Sequence, residues 1–415
     1  MPGILAEWKC RWPASRGVID WGMVRVRAAH NAVVVSFFLN GATFATWVAR
    51  LPEIRHRLEL TNGQLGTVLL AGSIAAILGL TGAGTIIERR GAADAVRLGI
   101  VVDTVGLIGI ALGAVVLDSA WAVAAALFVW GLGMGLWDVA MNVEGAGVEH
   151  RLERTIMPRF HAMFSLGTVA GAGVGALTTR LDVPMLAVLP TAAVLFLVVV
   201  LATTGAFLPR DVEEVDHAPK GPVLAAWREP RTLLIGLMVL ALALTEGAAN
   251  DWLAIALVDG YGVAAWLGVA GFAVFVSAMT VGRLLGTNLL DRFGRIATLW
   301  GTMALAAVGV LLVVYGDHPV LVVGGILLWG VGASLGFPVG MSAAADDPAR
   351  APARVSVVST IGYVAFLTGP PVLGFIGDHT GALHALLVIS ILLVPAALLV
   401  PAARVPAGTR QPVQR

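Results

Sequence analysis

Twelve runs of about 20 mostly apolar residues, each long enough to cross a bilayer as a helix, constrain this chain more than any other feature. They lie near 27–50, 62–87, 94–117, 120–144, 160–181, 185–208, 232–258, 264–287, 295–316, 319–343, 353–376 and 381–403. The first run is too long for the apolar core of a signal peptide and follows a polar leader. Composition agrees. Charged residues make up 13% and hydrophobic ones 58%, with a mean hydropathy of +0.87. Soluble proteins carry about 25% charged residues. A globule of 415 residues could not be coated with so little polar surface. The expected fold is all-α, with twelve transmembrane helices in two six-helix bundles.

Glycine, at 50 residues, sits inside the apolar runs rather than in linkers, as in LGLTGAG, WGLGMGLW and GTVAGAGVGA. Small residues in such runs let helix backbones approach closely in lipid. Cys10 is the sole cysteine, which excludes an intrachain disulfide and a cysteine-based metal or redox site. The two lysines, Lys9 and Lys220, end no phosphate-binding loop, so ATP hydrolysis on this chain is not expected. No enzyme activity and no cofactor is expected. The net charge of +1 gives no reason to expect a nucleic-acid partner.

Basic residues are informative by position. Arg50, Arg55, Arg57 and Arg180 fall on one side, Arg283 within or near the eighth run, and the other 22 in the termini and even-numbered loops. Lys and Arg concentrate in cytoplasmic loops. Both termini are therefore expected in the cytoplasm, with the protein in the plasma membrane or cell inner membrane. The resulting division is a polar segment 1–25 expected to order poorly, a bundle 26–208, a linker 209–230 with a short amphipathic turn near Trp227, a bundle 231–403 and a tail 404–415.

The halves resemble each other. Trp130, Gly131, Gly133 and Leu136 match Trp329, Gly330, Gly332 and Leu335 at a constant offset of 199. The second run opens GQLGTVLLAG and closes GTIIERRG, while the eighth opens AWLGVAGFAV and leads into TNLLDRFG. Parallel six-helix repeats belong to transporters whose halves rock about a central site. The chain resembles the major facilitator superfamily, whose signature is a G-x-L-a-D-R-x-G-R loop between helices two and three, repeated between eight and nine. The first copy has Gly84, Glu88, Arg89 and Gly91; the second has Arg283, Asp291, Arg292, Gly294 and Arg295. Glu88 replaces the usual aspartate, and Ala92 and Ala93 the final basic pair. The resemblance implies that these residues latch one face shut. A carboxylate and an arginine at a helix end can pair with a neighbouring helix or its dipole.

DVAMN, FHAMFSLG, EGAANDWLA and GYVAFLTGPPVLG resemble the fucose-permease-like sugar-porter branch. The fifth run has Ala172 where drug–proton antiporters of the family carry a proline. The resemblance implies a secondary active transporter of a small polar, sugar-like solute, proton-coupled and monomeric, with the lipid bilayer as its solvent. The rival readings are efflux of drugs or metabolites by the same fold, and a membrane sensor without flux.

Ionisable groups at membrane depth are costly and mark function by default. Glu246 lies about 14 residues into the seventh run, roughly 20 Å from its start at 1.5 Å per residue, near the midplane. Asn250 follows at i+4 on the same face. Glu246 either carries the coupling proton or bonds substrate, or is a protonated packing residue. Asn40 lies at similar depth in the first run. Asp138 and Asn142 form another i, i+4 pair, and His161 opens the fifth run; together they could relay a proton or fasten two helices. Glu144 is expected at the water boundary. Trp130 and Trp329 either line a cavity or fill helix interfaces.

Overall fold

A computed structural model describes residues 21–152, 156–209, 223–347 and 350–405. The expected disorder of the leading segment and most of the linker and tail lie outside the described residues. Among the described residues twelve helices are long and apolar enough to span a membrane: α1 (Val24–Arg57), α2 (Asn62–Arg90), α3 (Ala92–Val115), α4 (Ala120–Leu152), α5 (Met157–Arg180), α6 (Met185–Ala206), α7 (Pro230–Tyr261), α8 (Ala265–Gly286), α9 (Asn288–Tyr315), α10 (Pro319–Ala344), α11 (Ala353–Thr380) and α12 (Ala382–Ala403). Twelve is even, so α1 starts and α12 ends on one face, called the terminal face; the opposite one is the far face. In the linker a single helical turn, Val223–Ala226, precedes Trp227.

Much of the exterior is apolar, as hydrocarbon requires: Val198 is 58% exposed, Val394 69% and Leu398 78%. Inside each half, glycine sets the helix spacing. A Cβ on Gly106 would lie 2.4 Å from the backbone nitrogen of Trp130, and one on Gly309 2.4 Å from that of Trp329. The α3–α4 contact thus recurs as α9–α10 at the matched tryptophans, and the sequence repeat is a structural one.

Local sequence shapes three helices further. The capping box of Thr61 and Gln64 starts α2. In α7, residues Ala249–Leu253 form a π-turn, and α10 breaks between Ala333 and Gly336. Such irregular turns need nearby partners for freed backbone groups and gather at functional sites.

The halves meet along α2–α11 and α5–α8. On the far face Arg55 of α1 pairs with Asp259 of α7. Asp378 of α11 accepts from the Gly63 amide at 3.0 Å and the Thr61 hydroxyl at 3.1 Å, so a carboxylate from one half sits on the N-terminus of α2 in the other. Arg180 lies 5.0 Å above the Trp266 ring. On the terminal face, Arg295–Asp346, Arg231–Asp346 and Arg354–Glu229 each tie helices of one half.

Candidate functional site

A cavity of about 310 Å³ lies between the halves. The first half supplies residues of α1, α2, α4 and α5, the second residues of α7, α8 and α11. Most of the wall is apolar or aromatic, including Phe44, Trp47, Trp130, Phe164, Tyr363 and Phe366. Trp47 and Trp130 meet edge to face at 5.1 Å. The acidic and basic side chains on the wall are Asp138, Glu246, Asp251 and Arg283.

Glu246 and Arg283 form the central contact. The Arg283 Nη2 donates to both carboxylate oxygens of Glu246, at 3.0 and 2.9 Å. Arg283 also reaches across to the first half, where its Nη1 lies 3.5 Å from the Ser165 hydroxyl. Pairing at this depth compensates two charges that would each be costly alone.

The placement of Arg283 corrects the loop-latch assignment. Helices α8 and α9 join without a break, and the kink comes only at Gly294, within the range of α9, so Arg283 lies about ten residues inside, roughly 15 Å from the turn. The first-copy residues Gly84, Glu88 and Arg89 are exposed at the end of α2, and Gly91 makes the turn into α3. Asp291 and Arg292 are exposed, with the Arg292 guanidinium over the neighbouring Phe293 ring. Terminal-face contacts converge instead on Arg295, which donates to both Asp346 oxygens at 3.0 Å and to the Ala403 carbonyl at 3.1 Å. Asp346 also takes Arg231 at 2.7 Å. Sequence reasoning missed Asp346, since a loop carboxylate after α10 looks like any other solvated acid.

Glu246, Asn250 and Asp138 meet at the cavity; Asn40, Asn142 and His161 are not part of its wall. Asn40 is fully buried within the first half, with neither amide atom hydrogen-bonded to a described residue. Nearby on α1, Thr43 donates to the buried Asp103 at 3.1 Å. Asn142 donates to the Asp138 carbonyl at 2.9 Å, a bond within one helix. His161 packs edge-on against Phe37, and no hydrogen bond joins it to Asp138 among the described residues. Glu144 is buried and accepts from the Leu208 amide at 2.6 Å, closing the end of α6 instead of meeting water. Trp130 lines the cavity, whereas Trp329 is fully buried and donates to the Thr245 carbonyl at 3.0 Å. Asp251 also lies on the cavity wall. The π-turn that carries it is the local reason it joins the wall.

The family model of the Major Facilitator Superfamily matches residues 156–351 and 262–414. An uncharacterized MFS-type transporter of Yersinia pestis is 31% identical over 86% of this chain and 91% of its own. The chain belongs to the major facilitator superfamily. Another superfamily relative, the uncharacterized transporter y4wD of Sinorhizobium fredii, is 30% identical over 86% of this chain and 93% of its own. Among solved superfamily folds, the nucleoside transporter NupG superposes with a TM-score of 0.75 at 15% identity, covering 90% of this chain and 99% of that one. The human organic anion transporter MFSD10 gives 0.63 at 17% identity, covering 90% and 99%. These likenesses concern the fold. The protein is thus a multi-pass membrane transporter and not an enzyme, and the solved folds it resembles include a nucleoside transporter, so the likeness does not single out a sugar-porter branch.

Proposed function

We propose that this transporter carries a small polar organic solute across the cytoplasmic membrane by proton-coupled alternating access, with both termini in the cytoplasm. The observation that carries the reading is the Glu246–Arg283 pair on a cavity wall shared by both halves. A carboxylate that takes up a proton there loses its hold on Arg283 and alters the contacts between α7 and α8. Proton uptake and rearrangement are thereby linked through one pair.

The far-face contacts Arg55–Asp259 and Asp378–Gly63 cross between halves, which supports a state whose solute route leads to the terminal face. With the basic residues concentrated on that face, the state is inward-facing. A polar organic solute fits both the sugar-porter-like motifs and the fold shared with a nucleoside transporter.

The test is purified protein in proteoliposomes under an imposed pH gradient. Solute should accumulate in step with the gradient, and counterflow should persist without it. Absence of both across a panel of sugars, nucleosides and amines would overturn the reading.

A further inference from the structure

We infer that the solute is an organic cation, whose protonated amine is held by one of the two cavity acids that have no ion-pair partner among the described residues, Asp138 or Asp251. This rests on the transport reading above and adds to it the charge of the solute.

The argument begins with the charges on the wall. Arg283 is matched, because Glu246 takes two hydrogen bonds from its Nη2 and the Ser334 carbonyl lies 3.4 Å from its Nε. No second Lys or Arg lines the cavity among the described residues. Asp251 accepts no hydrogen bond from a described residue, and the Asp138 carboxylate has only the Asn142 amide, at 3.5 Å. Two carboxylates therefore face the cavity without a counter-charge.

Consider each class of solute against that wall. An anion would have to displace Glu246 from Arg283 and then sit beside two further carboxylates. A neutral polyol can donate hydroxyls to the acids but brings no charge to offset theirs in a mostly apolar wall, where unmatched charge is costly. An ammonium group supplies both the missing charge and the missing N–H donors. The rings agree, since a cation is attracted to aromatic faces, tryptophan above all. Trp47 and Trp130 meet at 5.1 Å, with Phe44 6.3 Å from Trp130, while Tyr363 and Phe366 adjoin at 6.4 Å.

The two acids also come from different halves, Asp138 from α4 and Asp251 from α7. A volume of about 310 Å³ is of the size that takes a small organic molecule.

The test uses matched probes on full-length protein in detergent at neutral pH. One set is glucosamine, glucose and glucuronate; the other is phenethylamine, phenylethanol and phenylacetate. At least one amine should raise the melting temperature, while its neutral and anionic counterparts leave it unchanged. Asp138→Asn or Asp251→Asn, whichever removes the acid that holds the amine, should weaken amine binding about tenfold or more, the effect of losing one hydrogen bond to a charged group, and parental binding by both variants overturns the inference. A shift by an alcohol, a sugar or a carboxylate without its amine, or no shift by either amine, overturns the inference. If a variant does not fold, the matched probes on the parent still decide. Counterflow separates the two proposals. Counterflow of a neutral solute alone keeps the transport reading and sinks the cation, whereas an amine that binds without flux does the reverse.

Discussion

Gly91 and Gly294 hold the same backbone conformation at the corresponding turn of each half, with φ 85°, ψ 164° and φ 74°, ψ 167°. That region is essentially closed to residues with a Cβ. Each glycine turns the chain with almost no loop, Gly91 between α2 and α3 and Gly294 at the kink in the continuous α8–α9 helix. Alanine at either position should destabilise by about 1–3 kcal/mol, the cost of holding a side chain in such a conformation. Gly301 is the control, being helical with open space around its Cβ position, and Gly301→Ala should be neutral or mildly stabilising. Melting of the three variants in detergent checks the order.

Asp291 gives a different expectation, because it is exposed and makes no ion pair among the described residues. Asp291→Asn should leave the melting temperature within the range of a neutral surface change, about 0.5 kcal/mol. If the signature loop acts as a latch in the outward-facing state, the same variant should lose most of its transport rate. Normal transport with normal expression would remove Asp291 from the mechanism.

What could be read from the sequence follows from the length scale of each signal. Twelve spans and a six-span repeat are written over tens of residues, so hydropathy and the paired WG motifs carry them. Glu246 and Asn250 on one face follow from helix geometry alone. Arg283 was placed within or near the eighth run but grouped with the loop motif, although the helix continues past it to the kink at Gly294. A lone cation in an apolar run calls for an acidic partner, and Glu246 on the preceding span was available. Asn40 has suitable depth but is buried within the first half, a matter of helix rotation that spans with little polar contrast do not encode, while His161 shares the α5 face of Ser165 and Thr168 but sits a turn beyond the cavity wall toward the terminal face.

Glu229 lies just before α7, outside the membrane span. The Arg354 Nε hydrogen bond, at 2.6 Å, is the main reason its carboxyl is held below the ordinary value of 4.5, with further help from Thr232 and Arg350. A depressed folded-state value means that the stabilisation is complete above about pH 4.5 and is lost as pH falls through the lower folded value. The melting-temperature difference between parent and Glu229→Gln should therefore be constant from neutral pH down to about 4.5 and shrink below it. A difference that widens in acid would contradict the pairing.

On the far face, Asp378→Asn removes a charge from the N-terminus of α2 and weakens a contact between halves. Such a carboxylate is worth about 0.3–1 kcal/mol, enough to change the population of the far-face-open state by up to roughly fivefold. A single cysteine at Leu69, a cavity residue, in a Cys10→Ser background reports it. Labelling by a membrane-impermeant maleimide from the far side should speed up by a similar factor. An unchanged rate would mean that Arg55–Asp259 and the α5–α8 contact hold the face without Asp378.

Glu246→Gln tests coupling most directly. In the parent, Glu246 is 17% exposed and Arg283 27%, so the pair is shielded yet touches the cavity. Glutamine keeps the shape and one acceptor oxygen, so it mimics the protonated acid and can still take one bond from Arg283. It cannot release a proton. The variant should bind solute and exchange it across the membrane, yet fail to accumulate it when a pH gradient is imposed. Arg283→Gln is the complement. It strands Glu246 without a cation, so the variant should melt below the parent and accumulation should again be lost. Combining both substitutions leaves a neutral pair of amides. The double variant should melt above Arg283→Gln while remaining uncoupled. Counterflow, gradient-driven uptake and melting on the same four proteins separate these effects. Accumulation by Glu246→Gln at the parental level would move the coupling proton off this pair, to Asp138 or Asp251, the remaining carboxylates on the cavity wall.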